Sequence, residues 1–171
     1  MSDKLLKQPV SRIDALRRRL LVTLLTGTGL AALGATRQST AQEGEPRFPG
    51  DEPTHKVLYQ FNKADADYQQ HILSSIGSML RKYGDDIHIV VTAFGPGIHI
   101  LAVHPKRPVS KEIRQRVASL AQYGVEFHAC GNTMKSLGWT EDDLLPFAKV
   151  VEVGASDLME LQEKGYAYIS W

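Results

Sequence analysis

Apolar positions along the chain come in two alternating kinds: short continuous runs, and stripes that return every three or four residues. Residues 56–62, Lys-Val-Leu-Tyr-Gln-Phe-Asn, read as a first strand. Tyr68, Ile72, Ile76, Met79, Leu80 and Tyr83 then mark one face of an amphipathic helix, with Gly84 where a left-handed C-terminal cap belongs. Residues 87–93 are an almost unbroken apolar run, the pattern of a strand covered on both faces. Phe94, Gly95, Pro96 and Gly97 break it, and a short helical turn is expected over 98–103. Ser110 is placed to cap a helix that buries Ile113, Val117, Leu120 and Ala121, and Gly124 stops it. A strand ending on Cys130 follows, then a short helix over 132–137 and a turn at 141–145. A fourth strand is expected over 149–153, a helix over 156–164 ended by Gly165, and a last short strand over 166–170. Strict alternation of strand and helix predicts a three-layer α/β fold: a mostly parallel sheet between two helical layers.

The first 41 residues do not fit this pattern. Lys4, Lys7 and Arg12 lead to Arg17, Arg18 and Arg19, an uncharged stretch runs over 20–35, and Ser39-Thr40-Ala41 offers small residues at a cut after Ala41. Basic, apolar, small-residue is the order of a secretory signal. The apolar part is short for a membrane span, which needs roughly 20 residues. Its paired arginines and weakly apolar core resemble a twin-arginine signal, with Leu16, Leu20 and Val22 departing from that motif. The expected organisation is therefore a signal peptide over 1–41, a flexible Pro-, Gly- and Glu-rich leader over 42–55, and one domain over 56–171. The location implied is periplasmic or otherwise exported, without a stable membrane span after cleavage, and membrane-anchored if the signal is retained.

Cleavage would change the charge. The leader holds seven of the 20 basic and two of the 19 acidic residues, leaving 13 against 17, a net of about −4. That balance argues against a general nucleic-acid binder, whose affinity rests on neutralising phosphates.

The candidate chemistry centres on the chain's single cysteine. Cys130 ends a strand, Gly131 lets the chain turn, and Asn132 and Thr133 open a helix whose unpaired N–H groups favour thiolate over thiol. In an open parallel sheet ligands bind beyond the carboxyl ends of the strands, which puts Asn62, Gly95 to Gly97, Cys130 and Gly154 on one rim. The glycines there would permit close backbone approach to a ligand. His128 shares the strand face of Cys130, but two strand steps span about 6.6 Å, too far for a hydrogen-bonded dyad. His99, beyond the second strand, is the other histidine placed to reach the rim, unless it only caps or decorates the loop. The six histidines show no metal-ligand spacing, and neither metal nor cofactor is expected. Phe94-Gly95-Pro96-Gly97 lacks a phosphate-binding glycine pattern. Lys106, Arg107, Lys111, Arg114 and Arg116 read as a solvated helix face or as a steering patch for an acidic partner. Free cysteines are also among the most buried residues, so a packed thiol in a non-catalytic binding module stays open beside a reactive one. A redox sensor would need a resolving cysteine from another chain.

Over residues 56–171 the chain resembles the DsrE/DsrF-like family of small sulfur-relay proteins. The resemblance rests on 57–62, on Ile89 through Gly97, on Val153-Gly154-Ala155, on 161–169, and above all on Gly124-Val125-Glu126-Phe127-His128-Ala129-Cys130-Gly131-Asn132-Thr133-Met134. It implies a five-stranded parallel sheet, homo-oligomers such as trimers or hexamers, and a cysteine at the position of Cys130 that carries sulfur as a persulfide. The partners implied are sulfur donor and acceptor proteins or small sulfane-sulfur compounds. The expected rim of the site is Asn62, Gly95, Gly97, His99, His128, Gly131, Asn132 and Thr133. An exported member departs from the best-known cytoplasmic ones.

Overall fold

A computed structural model of the chain describes residues 50–171; the expected signal over 1–41, and residues 42–49 of the stretch after it, lie outside the described residues. Strand β1 (His55–Phe61) is followed by helix α1 (Ala66–Tyr83), β2 (Ile87–Ala93), a 3-10 segment (Gly95–Leu101) and α2 (Lys111–Gln122). Then come β3 (Glu126–Cys130), α3 (Gly131–Leu137), β4 (Ala148–Val151), α4 (Gly154–Glu163) and β5 (Ala167–Ile169). The five strands form one sheet in the order β4-β3-β2-β1-β5, every pairing parallel. Among the described residues no helix is long and apolar enough to cross a membrane.

Local chemistry sets most boundaries. Asp65 Oδ1 accepts the Tyr68 N–H at 2.9 Å to start α1, and Ser110 Oγ accepts the Ile113 N–H at 3.2 Å to start α2. β1 takes in His55, whose ring packs 4.4 Å from that of Tyr83, while the Thr54 N–H donates to Asp86 Oδ1 at 2.7 Å. Gly84 has positive φ (56°) but ψ of −123°, so it is not the left-handed cap expected; its N–H closes α1 on the Leu80 carbonyl and the chain turns into a 3-10 segment.

Side chains alternate across each strand, so the sheet has two chemically different faces. Val57, Tyr59, Phe61, Ile89, Val91, Ala93, Phe127 and Ala129 point to the first. They bury against Ile72 and Ile76 of α1, Ile113, Val117 and Leu120 of α2, and Met134 of α3. The second face carries a much smaller apolar cluster, Leu58 and Val90 beneath Leu158 and Leu161 of α4. Three helices thus cover one face and a single helix the other, which completes the three layers.

Candidate functional site

The chain order builds one special place on this sheet. The connections leaving β1, β2 and β3 all run to the first face, through α1, α2 and α3. The connection leaving β4 runs to the second face, through α4. Since β3 and β4 are neighbours, their carboxyl ends diverge to opposite faces and leave a crevice between them, the position where open parallel sheets bind ligands. Cys130 is the last residue of β3, and Gly154, the first of α4, comes from the other side of the crevice.

The thiol is buried, the residue being 6% exposed, the setting that the sequence left open beside a reactive, accessible one. It is nevertheless held by polar groups. The Gly154 N–H donates to Cys130 Sγ at 3.2 Å. Burial pushes the thiol pKa up, but hydrogen bonds from the Thr133 hydroxyl and from the N–H groups of Gly154, Thr133 and Asn132 outweigh it and hold the thiol below its ordinary value. Thr133 is itself fixed: its Oγ1 accepts the Gly95 N–H at 3.0 Å, leaving its proton for the sulfur. The Asn132 N–H is shared with the Glu152 carbonyl at 3.2 Å.

Glycines make this closeness possible. A Cβ on Gly154 would stand 3.1 Å from Cys130 Cβ and 3.3 Å from the Phe94 ring, so only glycine brings its amide to the sulfur without displacing a neighbour. A Cβ on Gly131 would meet the Val151 carbonyl at 3.1 Å. Gly97 also approaches backbone, but that of Phe61 and Asn62, so its small size serves packing of the rim rather than approach to a ligand. Gly95 takes φ of +51° at the turn.

Cys130, Gly131, Asn132, Thr133 and Gly95 are therefore one connected group. Asn62 stands at the end of β1, where its N–H donates to, and its Oδ1 accepts from, the Tyr68 hydroxyl, both at 3.1 Å. His99 is 3% exposed and faces elsewhere. Its ring packs edge-on against Trp139 and its Nδ1 accepts the Lys106 N–H at 3.2 Å. Burial, then the positive charges of Arg107 and Lys106, push its pKa down.

His128 lies two residues back along β3 from Cys130, on the same second face, and both its ring nitrogens are engaged. Its Nδ1–H donates to the Asp157 carboxylate, with oxygens at 2.9 and 3.0 Å, and Nε2 lies 3.4 Å from Glu126 Oε2. Asp157 also accepts from the Thr92 hydroxyl at 2.5 Å. Burial works against its charge, yet the bonds from His128 and Thr92, with the nearby charges of His128 and Lys164, hold its pKa below the usual carboxylate value. Glu126 extends the chain of contacts to Lys149 at 2.7 Å and, through His88, to the Tyr166 hydroxyl. The sequence put Gly154 on the rim without placing its amide on the sulfur, and gave no role to Asp157, Thr92 or Glu126. Asp157 is 29 positions from His128, and no local pattern links them. A cleft of about 290 Å³ along the β4–α4 turn has walls that include Val151, Val153, Asp157 and Glu160, but not Cys130.

A parallel α/β domain with a hydrogen-bonded thiol at its switch point is the class that fold and site define. The DsrE/DsrF-like family model matches residues 55–171, and the chain belongs to that family, which is broadly linked to sulfur relay. No curated protein matches the chain. Among solved structures it is similar to a protein of unknown function, MTH1491, from Methanobacterium thermoautotrophicum, at 26% identity and a TM-score of 0.62, covering 68% of this chain and 99% of that one. It also shares the fold of the ychN protein from E. coli, at 13% identity and a TM-score of 0.55, again over 68% of this chain and 99% of the other.

Proposed function

We propose that the domain is a sulfur carrier in which Cys130 holds sulfane sulfur as a persulfide. The Cys130 thiolate attacks the terminal sulfur of a polysulfide or persulfide donor; a new S–S bond forms, the donor's S–S bond breaks, and the donor leaves as a thiolate. An acceptor thiolate then attacks the outer sulfur of Cys130–S–S⁻, takes it, and regenerates the Cys130 thiolate. Sulfur moves at constant overall oxidation state, so neither step calls for an external oxidant or reductant. The observation that carries this reading is the Gly154 N–H on the sulfur, together with the Thr133 hydroxyl, because donors aimed at a thiol stabilise its anion. Burial sets a condition on access: the loop bearing Phe94 and Gly95, or the turn into α4, has to yield before a donor arrives.

The test is intact-mass analysis after exposure to polysulfide. Wild type is expected to gain the mass of added sulfur, and a folded Cys130→Ser variant none; equal gain in both would end the carrier reading. The burial of Cys130 supports a second reading, a non-catalytic binding module in which the thiol is packing. A thiol probe separates the two, since a packed cysteine reacts only after denaturation.

The setting belongs to the same proposal. Residues 1–41 direct export, by a twin-arginine-like route, and the domain works in the periplasm or another exported location as a homo-oligomer, a trimer or hexamer. Donor and acceptor are sulfur-handling proteins or small sulfane-sulfur compounds. Sequencing the amino terminus of the protein from its native compartment would expose a missing cut after Ala41, and light scattering would reveal a monomer.

A further inference from the structure

The amide that faces the sulfur sits at the start of α4, just after Glu152, whose carbonyl accepts the Asn132 N–H and ties the turn to α3. Val153, the residue before the helix, provides no side-chain cap. A second tie comes from the next turn. Asp157 lies three residues after Gly154, and its N–H donates to the Val153 carbonyl at 3.0 Å, so its backbone and the Val153–Gly154 peptide belong to one closed turn. Its side chain reaches down to the sheet and accepts from Thr92 on β2 and His128 on β3. Those two residues are direct cross-strand partners, and Cys130 is the next side chain after His128 on the same face.

We propose that Asp157 is a positioning residue for the Cys130 thiolate: clamped by Thr92 and His128, it pins the first turn of α4 to the sheet and so holds the Gly154 N–H on Sγ. The inference rests on reading Cys130 as the working thiol. Gly154 is already wedged between Cys130 and Phe94 with room for no side chain. Sulfur accepts at longer range than oxygen, so it takes a lift of roughly 1 Å to carry the 3.2 Å contact out of hydrogen-bonding distance.

The sign of one measurement separates positioning from simple charge. A carboxylate near a thiol, acting only as a charge, disfavours the thiolate, so its removal by any substitution would lower the thiol pKa. As a clamp it acts the opposite way: its loss releases the amide and raises the thiol pKa. Asparagine keeps the clamp, since its carbonyl accepts from His128 and its amide donates to the Thr92 oxygen. The other titratable groups packed on this face, His88, Glu126, Lys149, Lys164 and Tyr166, with Glu152 and Glu160 along the cleft, are the same in every variant.

The experiment is a titration of thiolate ultraviolet absorbance in the full chain, where Cys130 is the single cysteine and the signal has one source. Asp157→Ala is expected to raise the thiol pKa by about 1, roughly a tenfold loss of thiolate below both values. Asp157→Asn is expected at or below the wild-type value, and Thr92→Val between wild type and Asp157→Ala. If Asp157→Ala does not fold, the nearly isosteric Thr92→Val decides alone. Alanine and valine variants both at or below wild type would overturn the proposal, as would an asparagine variant that matches the alanine one. Sulfur loading measured alongside keeps the two ideas apart: a raised pKa in Asp157→Ala, in a protein whose wild type never takes up sulfur, upholds the clamp and sinks the carrier reading.

Discussion

Phe127 and His128 are adjacent on β3 and point to opposite faces, and between them they show how this domain divides its labour. Phe127 is fully buried among hydrocarbon from three helices, with the Phe147 ring 5.8 Å away. His128 is nearly as buried but enters a network of Asp157, Glu126 and Thr92 under one helix. The first face supplies most of the apolar burial that stabilises the fold. The second gives up such burial for polar groups, each of which has found a partner: no buried side-chain nitrogen or oxygen among the described residues lacks a hydrogen bond. Stability and control of the thiol are thus separated by the thickness of one strand.

The largest expected effect would come from breaking the apolar side. Phe127→Ala should cost about 3–5 kcal/mol, the range for emptying an aromatic site in a packed core. Denaturant unfolding would measure it, and a loss below about 1 kcal/mol would contradict the assignment of that face as the stabilising one. An intermediate effect is expected from acid. Asp157 and Glu126 both have carboxyl pKa values held below their ordinary ones, against the upward push of burial, by the hydrogen bonds and charges around them. A depressed folded pKa means that the unfolded chain binds more protons in that window. The contribution is therefore complete above the unfolded values, about 3.9 and 4.3, and is lost as pH falls through the lower folded ones. Stability measured against pH should drop less steeply over that acid window in Asp157→Asn than in wild type; identical slopes would count against the network. The smallest effect is expected at the rim of the network. Lys149 Nζ is 2.7 Å from Glu126 but the lysine side chain is 59% exposed, so Lys149→Ala should cost under about 1 kcal/mol, and less still at high salt. A cost of several kcal/mol would mean that the polar face carries more of the fold than the division above allows.

The apolar face was the more legible in sequence. β2 runs over Ile87–Ala93, the span its almost unbroken apolar run predicts, and Ser110 and Gly124 punctuate α2 by local chemistry that needs no tertiary knowledge; the Asp65 cap of α1 uses the same chemistry but was not read from the sequence. Helices α3 and α4 were less legible, expected from 132 and 156 but starting at Gly131 and Gly154. Glycine weakens a helix on propensity alone; here contacts from Val151 and Cys130 demand it, and those contacts are 20 and 24 positions away. The rim of strand ends could be read from alternation, but not the crevice within it, because strand order depends on long-range pairing that leaves no local trace. The same holds for the clamp on α4: Thr92, His128 and Asp157 are unremarkable one by one and acquire meaning only when β2, β3 and α4 meet.

The sheet order has a further consequence for how the sulfur is reached. Cys130 is one strand from the margin, and the marginal strand β4 is four residues long with none of them fully buried. Edges of that kind fray at a fraction of the free energy that unfolds a domain. Peeling Ala148–Val151 outward would carry with it the turn into α4, one of the two movements that access to the sulfur needs, while β1 and β2 kept their pairing. An opening at the selvedge would leave the interior shut.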